Sequence, residues 1–330
     1  MGRNDTRYRR RMQTALVTGV TGQDGGYLAE RMLDAGYTVH GLVRAGDVEP
    51  VDARVVQHTG DLADGSRLAA MVAGLHPNVI VNLGGLSSVG ASWQDPVLTA
   101  EVTGLAAVHL LEAAWRLHDD AHPVRFLQAS SAEIFGESTE VPQHEGTAIR
   151  PVSPYGVAKA LAHHATGMYR GRGLPASTVI LYGHESPRRP PSFVARKITA
   201  GVAAIVTGEA NELVLGNLDA TRDWGWAPDF VDAMVRVLEG ARPDDYVVST
   251  GEAHSVRQFA EAAFAAAGLG SGAGYLRSDP ALTRVGDDAV QVGDASRIRK
   301  RLGWAPTMTF DGVVAAMVAA DLNQRAPVRR

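Results

Sequence analysis

Thr14-Ala15-Leu16-Val17-Thr18-Gly19-Val20-Thr21-Gly22-Gln23-Asp24-Gly25 is an apolar run that breaks directly into glycines. The first five residues predict a buried strand. Tyr27 to Ala35, stopped by Gly36, predicts a helix. Glycines between the two permit a tight turn and let backbone approach a pyrophosphate. The helix N-terminus adds amide donors and a favourable dipole. Strand before and helix after are the context that a dinucleotide-binding turn requires.

Reading onward, Thr38 to Val43 predicts a second strand ending in Arg44. A site for NAD calls for an acidic residue near this point, whereas arginine suits a 2′-phosphate, so NADP is favoured and NAD stays possible. Val55 to His58 predicts a third strand, followed by Gly60-Asp61-Leu62, where Asp61 either faces an adenine or caps a helix. A helix from Arg67 to Leu75, a strand from Val79 to Leu83 and the turn Gly84-Gly85-Leu86-Ser87 come next. A helix from Leu98 to Leu117, strands at Phe126–Ala129 and Ser177–Leu181, and a return to the sheet at Tyr246–Ser249 complete the rhythm. Alternation of this kind predicts an α/β protein with a Rossmann-like, doubly wound parallel sheet.

Phe126 to Lys159 carries the chemistry. Its strand breaks into Ser130, Ser131, Ala132 and Glu133, and Tyr155-Gly156-Val157-Ala158-Lys159 opens a helix. Tyr and Lys four apart share a helix face, so an ammonium near the phenol should lower its pKa and make it a general base. Ser131 and Glu133 fall at a strand end, where open α/β sheets keep their ligand crevice. By itself Tyr-x-x-x-Lys is a weak signal, which surface helices also produce.

The second half has a different texture. His184-Glu185-Ser186-Pro187-Arg188-Arg189-Pro190-Pro191 interrupts the pattern, and a helix over 193–207, a strand at Leu213–Leu215 and a helix over 256–267 follow. We expect residues 13–182 with about 227–250 to form the NADP-binding domain. Residues 183–226 and 251–330 would form a smaller, mainly C-terminal α/β substrate domain, and 1–12 a disordered basic tail. Arg188, Arg189, Arg196, Lys197, Arg222 and Arg284 supply cations, and guanidinium suits a diphosphate through bidentate bonds.

Composition narrows the classes. The 330 residues are 45% hydrophobic and 21% charged with net charge −4, which gives no reason to expect a nucleic-acid partner. Without cysteine there is neither disulfide nor thiolate metal site, which fits a cytoplasmic protein. The arginine-rich start has no apolar core of the signal-peptide kind, and no run reads as membrane-spanning, so no membrane partner is expected. His118 with His122, and His163 with His164, lack the carboxylate pattern of a metal site, so no metal is expected.

Taken together, these motifs resemble the GDP-mannose 4,6-dehydratases, extended short-chain dehydrogenase/reductases. The resemblance runs from Ala15 to about Leu322. It rests on Val17 to Gly25, Gln128 to Glu133 and Ser153 to Lys159, and more specifically on His184 to Arg189, Phe193 to Ile198, Leu215 to Gly225 and Leu302-Gly303-Trp304. It implies that Ser131, Glu133, Tyr155 and Lys159 are catalytic. Gly19, Thr21, Gly22, Gln23, Asp24, Gly25, Arg44, Asp61, Leu62, Leu83, Gly84, Gly85, Ser87, Lys159, His184 and Arg189 would hold the cofactor. Ser87, Ser131, Glu133, Tyr155, Glu185, Val194, Lys197, Arg222 and Arg284 would meet a nucleotide sugar, and the enzyme would be a homodimer or homotetramer. The implied reaction oxidises carbon 4, removes the carbon-5 proton with Glu133 and expels water from carbon 6. Gly183 stands where the family usually has Asn, and Ser131 where it has Thr. A 4-epimerase, a ketosugar reductase and a non-catalytic NADP-binding sensor are the alternatives.

Overall fold

The computed structural model describes residues 13–47, 51–240, 242–282 and 290–325; the expected basic tail and Arg284 lie outside them. Six strands appear before residue 182: β1 (Thr14–Thr18), β2 (Thr38–Val43), β3 (Val56–Thr59), β4 (Val79–Asn82), β5 (Arg125–Ser131) and β6 (Ala176–Leu181). Six more follow: β7 (Gly183–Glu185), β8 (Leu213–Leu215), β9 (Thr221–Trp226), β10 (Asp245–Val248), β11 (Ala253–Ser255) and β12 (Leu276–Ser278). The main sheet has the order β10-β6-β5-β4-β1-β2-β3, and all its pairings are parallel. Order reverses beside β1, so a crevice forms at the carboxyl ends of β1 and β4.

Helices α1 (Gln23–Asp34), α2 (Gly65–Leu75), α3 (Val89–Ser92), α4 (Pro96–Thr99), α5 (Ala106–Leu117) and α6 (Pro154–Gly171) alternate with the first strands. On one face of the sheet, Leu68, Leu110, Leu111 and Tyr169 pack with Leu16, Ile80 and Phe126. The other face is covered by Leu28 and Met32 of α1 and by Phe230, Met234 and Val237 of α8 (Ala227–Glu239). Both faces being buried explains why β1, β4 and β6 read as apolar runs rather than alternating strands.

A second core collects α7 (Val194–Val206), α9 (Val256–Ala266), α11 (Phe310–Arg325), β8 and Trp224. Its sheets are small: β11-β9-β7, and the pair β12-β8. The expected boundary shifts in one place. Ile298 of α10 (Ser296–Leu302) and Trp304 are buried with the main-sheet core, and the Trp304 indole donates to the Asp229 carbonyl at 2.8 Å. This C-terminal stretch therefore returns to the first unit before α11 rejoins the second.

The long helix read from Leu98 to Leu117 is interrupted by a π-helical turn at Ala100–Leu105. The wider turn brings Gly104 against α6, where a Cβ would lie 3.0 Å from Leu161 and 3.3 Å from the Ala158 carbonyl. It also turns the Thr103 hydroxyl to accept from the Leu86 amide at 3.0 Å, supporting the turn after β4. The run Pro96–Leu117, with mean hydropathy 1.4, is long and apolar enough to cross a membrane by length and composition. That corrects the sequence reading. Its apolarity has a local cause, because Ala106, Ala107, Leu110, Leu111 and Ala114 are buried under the sheet.

Candidate active site

The glycine turn is as tight as its sequence demands. Gly19 has φ +69°, and a Cβ there would lie 2.9 Å from the Gly84 amide nitrogen. At Gly25 it would lie 2.1 Å from the Gly19 carbonyl oxygen. No side chain caps the start of α1, so its first amides point into the crevice. Gly84 closes the other wall, where a Cβ would strike Leu62 at 2.7 Å. Bare backbone on both sides and an uncapped helix start fit a dinucleotide pyrophosphate, with Gly19, Gly22, Gly25, Leu62 and Gly84 as the cradle.

A buried polar ladder crosses the strand ends. The Thr18 hydroxyl donates to Asn82 at 2.6 Å and accepts from the Gly84 amide at 3.0 Å. Asn82 donates to Gln128 at 2.9 Å, and Gln128 donates to the Ala129 carbonyl at 2.9 Å. The Lys159 ammonium donates to that same carbonyl at 2.8 Å.

At the end of β5, the Ser131 hydroxyl accepts from the Glu133 amide at 3.2 Å, opening a 3-10 turn that presents the carboxylate. Ser153 caps α6 by accepting from the Gly156 amide, with Pro154 in the first turn, so Tyr155 enters the crevice at the helix start. Tyr155 and Lys159 are both buried, and the ammonium lies 5.7 Å from the phenol ring centre. Burial pushes the Tyr155 phenol up, against a downward pull from Ser131. The expected lowering by lysine is therefore outweighed: desolvation dominates, and the ammonium spends a bond on Ala129. Burial brings Lys159 itself down to about 8.

The β6–β7 segment docks onto the glycine turn across some 160 residues of chain. His184 bonds Asp24 at 2.8 Å through Nε2 and the Tyr182 carbonyl at 2.6 Å through Nδ1, and it stacks on Phe230. Gln23 donates to the His184 carbonyl at 3.1 Å and accepts from Ser186 at 2.8 Å. Burial works to raise Asp24, but His184 and Arg189 outweigh it and hold its carboxyl below the usual range. Arg189 forms a part-buried two-point pair with Glu185, at 2.7 and 3.1 Å, and its guanidinium lies 4.4 Å from the Phe193 ring centre.

Other expected residues find different surroundings. Arg188 lies over Tyr27 and donates to Glu30 of α1, while Arg196 pairs with Asp321 inside the second core, so these two support the scaffold. Arg44 is exposed and paired with Asp47, and Asp61 accepts from the Ala63 amide in its own turn. Ser87 and Lys197 are exposed, Thr21, Leu83 and Val194 are half-buried, and Gly85 lies against Thr103. Arg222 is on β9, beside the buried Asp223 that ties the strand to Thr250 and Gly251. Gly183 has a local explanation. Its Cβ would lie 2.5 Å from the Asp223 carbonyl oxygen, because β7 runs tightly beside β9. Among the described residues, one contact to Glu133 was not foreseen: the Gln291 amide donates to its carboxylate at 3.1 Å. A cleft of about 770 Å³ opens by Gln13, Tyr37 and Asn78 at the opposite ends of the strands and holds none of the candidate residues.

Known proteins resemble the chain along most of its length. The family model described as GDP-mannose 4,6 dehydratase matches residues 16–317. GDP-mannose 4,6 dehydratase 1 of Arabidopsis thaliana is 42% identical over 326 residues, spanning 94% of this chain and 90% of that protein. The GDP-mannose 4,6-dehydratase of Yersinia enterocolitica is 39% identical over 353 residues, spanning 95% of each. Among solved structures, the Thermus thermophilus UDP-glucose 4-epimerase in complex with NAD aligns with TM-score 0.82 at 25% identity, covering 96% of this chain and all of that one (100%). With crevice, motifs and relatives in agreement, the chain belongs to the GDP-mannose 4,6-dehydratase family.

Proposed function

We propose that the protein is an NADP-dependent lyase that converts GDP-mannose to GDP-4-keto-6-deoxymannose. The observation that carries the reading is the convergence of Ser131, Glu133, Tyr155 and Lys159 beside a bare-backbone pyrophosphate cradle. Membership of the family supports the substrate. Gly19 to Gly25, Leu62 and Gly84 would hold the dinucleotide, with Arg44 near its ribose. Bound there, the nicotinamide supplies reversible two-electron oxidation of the sugar.

The chain's own residues handle protons. Tyr155, ionised with the help of the Lys159 ammonium, which stays charged below about pH 8, takes the proton of the 4-hydroxyl and becomes the neutral phenol. A ketone at carbon 4 acidifies carbon 5, so the Glu133 carboxylate takes that proton. The protonated Glu133 then gives that proton to the hydroxyl leaving carbon 6 as water, with Ser131, which bonds the backbone of the Glu133 turn, orienting the departing oxygen. Arg189 and Glu185 brace the floor of the crevice, and Lys197 and Arg222 offer cations to the diphosphate. A 4-epimerase would not need a carboxylate at Glu133, and a sensor would have no use for the set.

The test is direct. Purified protein with GDP-mannose and no added reductant should yield a product lighter by one water in mass spectrometry. Loss of water from a different nucleotide sugar alone would overturn the substrate; no loss from any would overturn the reaction class.

A second copy of the chain is the expected partner. Exposed Val97, Leu105, Val157, Leu161 and Met168 occupy the 96–117 helix and α6, and a homodimer through this face would cover them. A cytoplasmic location follows the reading of a cysteine-free metabolic enzyme.

A further inference from the structure

We infer that Gln291 is a positioning residue for the Glu133 base, and that it ties the base to the strand carrying Arg222. This rests on the reading of Glu133 as the carbon-5 base.

Three observations on Gln291 point the same way. Its side-chain amide donates to Glu133 Oε1 at 3.1 Å, across 158 positions of sequence. Its backbone is fixed on one side by β9, since Gln291 bridges Arg222 and its carbonyl accepts from the Asp223 amide at 2.9 Å. On the other side its neighbours are clamped by Gln143. That residue's backbone amide donates to the Val292 carbonyl at 2.8 Å, and its side chain donates to the Val290 carbonyl and accepts from the Val292 amide. Gln143 is in turn held by the Tyr182 hydroxyl at 2.9 Å. With the main chain pinned, the Gln291 side chain starts from a fixed point and reaches Glu133 from there.

An amide N–H favours the ionised carboxylate, and it fixes which oxygen faces away for proton transfer. Because Arg222 lies in the same bridge, movement of β9 on binding a diphosphate would be transmitted to the carboxylate through Gln291. A side chain kept only for packing would have no need of a donor here.

The experiment compares wild type with Gln291→Leu, which preserves size and removes the donor, and with Gln291→Glu, which sets a second carboxylate against Glu133. In Gln291→Leu, kcat should fall about ten-fold with KM within about two-fold on whichever nucleotide sugar is dehydrated, and Gln291→Glu should fall at least as far because like charges repel. The same Gln291→Leu exchange made in a Glu133→Gln background should change the residual kcat by no more than about two-fold, since the group it positions is already lost. A kcat in Gln291→Leu equal to wild type overturns the proposal. An equal loss in both backgrounds would mean packing alone, and also overturns it. Wild-type turnover in Glu133→Gln would overturn the reading of Glu133 as the base, and the proposal with it.

Discussion

Lys159 donates to the carbonyl of Ala129 at 2.8 Å, at the end of a ladder that begins at Thr18 beside the glycine turn. The lysine is thus placed by the sheet as much as by its own helix. Burial lowers it to about 8 from an ordinary 10.5. Above about pH 8 the folded protein sheds a proton that the unfolded chain keeps up to 10.5, so this group adds stability as pH rises. The window closes near 10, where the unfolded chain's tyrosines ionise while buried Tyr155 and Tyr182 keep their protons. Thermal unfolding between pH 7.5 and 10 should show a rising component that Lys159→Met lacks. Identical pH slopes in the two proteins would refute this assignment.

His184 and Asp24 join the second motif to the first at 2.8 Å. Asp24→Asn removes the charge from this bond, and His184→Ala the bond itself, next to the uncapped start of α1. Each should weaken NADP binding about ten-fold, because a charge-assisted bond between a buried and a half-buried group is worth about 1.5–3 kcal/mol. Fluorescence titration with NADPH reads the change; affinity equal to wild type would exclude the docking role.

Arg189 and Glu185 form the other fixed point. Glu185 is buried and Arg189 largely covered, so leaving the guanidinium unpaired should be costly: Glu185→Ala is expected to lose about 3 kcal/mol. Arg189→Lys keeps the charge but loses the planar two-point geometry, and should fall between wild type and Glu185→Ala in urea unfolding. Equal stability of all three would show that the pair contributes nothing.

Much of this arrangement is legible along the chain, and the reason is locality. The turn from Gly19 to Gly25, the Ser131–Glu133 turn and the Ser153 cap are each built by neighbours in sequence, and β1 and β2 begin and end at the expected residues. What escapes sequence is long-range. Gln291 meets Glu133 only because β9 brings the two together, and Trp304 joins the first core because α10 returns to the side of β10. Arg188 and Arg196 resemble ligand cations until their carboxylate partners, Glu30 and Asp321, are seen on other helices. The π turn at Ala100–Leu105 has no period that would announce it, since its cause is Gly104 pressed on α6.

Gly183 supplies a test of whether the family's usual residue could simply be restored. A Cβ would lie 2.5 Å from a main-chain oxygen of β9, which cannot rotate away as a side chain would. Gly183→Asn should therefore push β7 from β9 and destabilise by about 2 kcal/mol or more. His184 follows directly, so NADP binding should fall as well. A variant as stable and as active as wild type would show that β9 yields easily.

Asp47 bears on the choice of cofactor. Its carboxylate accepts from the Thr21 hydroxyl at 3.3 Å and from the Arg44 backbone and guanidinium at 3.2 and 3.3 Å, so it holds Arg44 back against the turn. A 2′-phosphate must compete with that carboxylate for the guanidinium, whereas a free 2′-hydroxyl can donate to an acid placed here. The two residues should then pull preference in opposite directions. Arg44→Ala should raise the Kd for NADP more than for NAD. Asp47→Ala should release the guanidinium and remove like-charge repulsion, tightening NADP by about three- to ten-fold while leaving NAD equal or weaker. Calorimetric titration of both cofactors into the three proteins measures the ratio. Parallel changes for NADP and NAD in both variants would place the 2′ position of the ribose elsewhere.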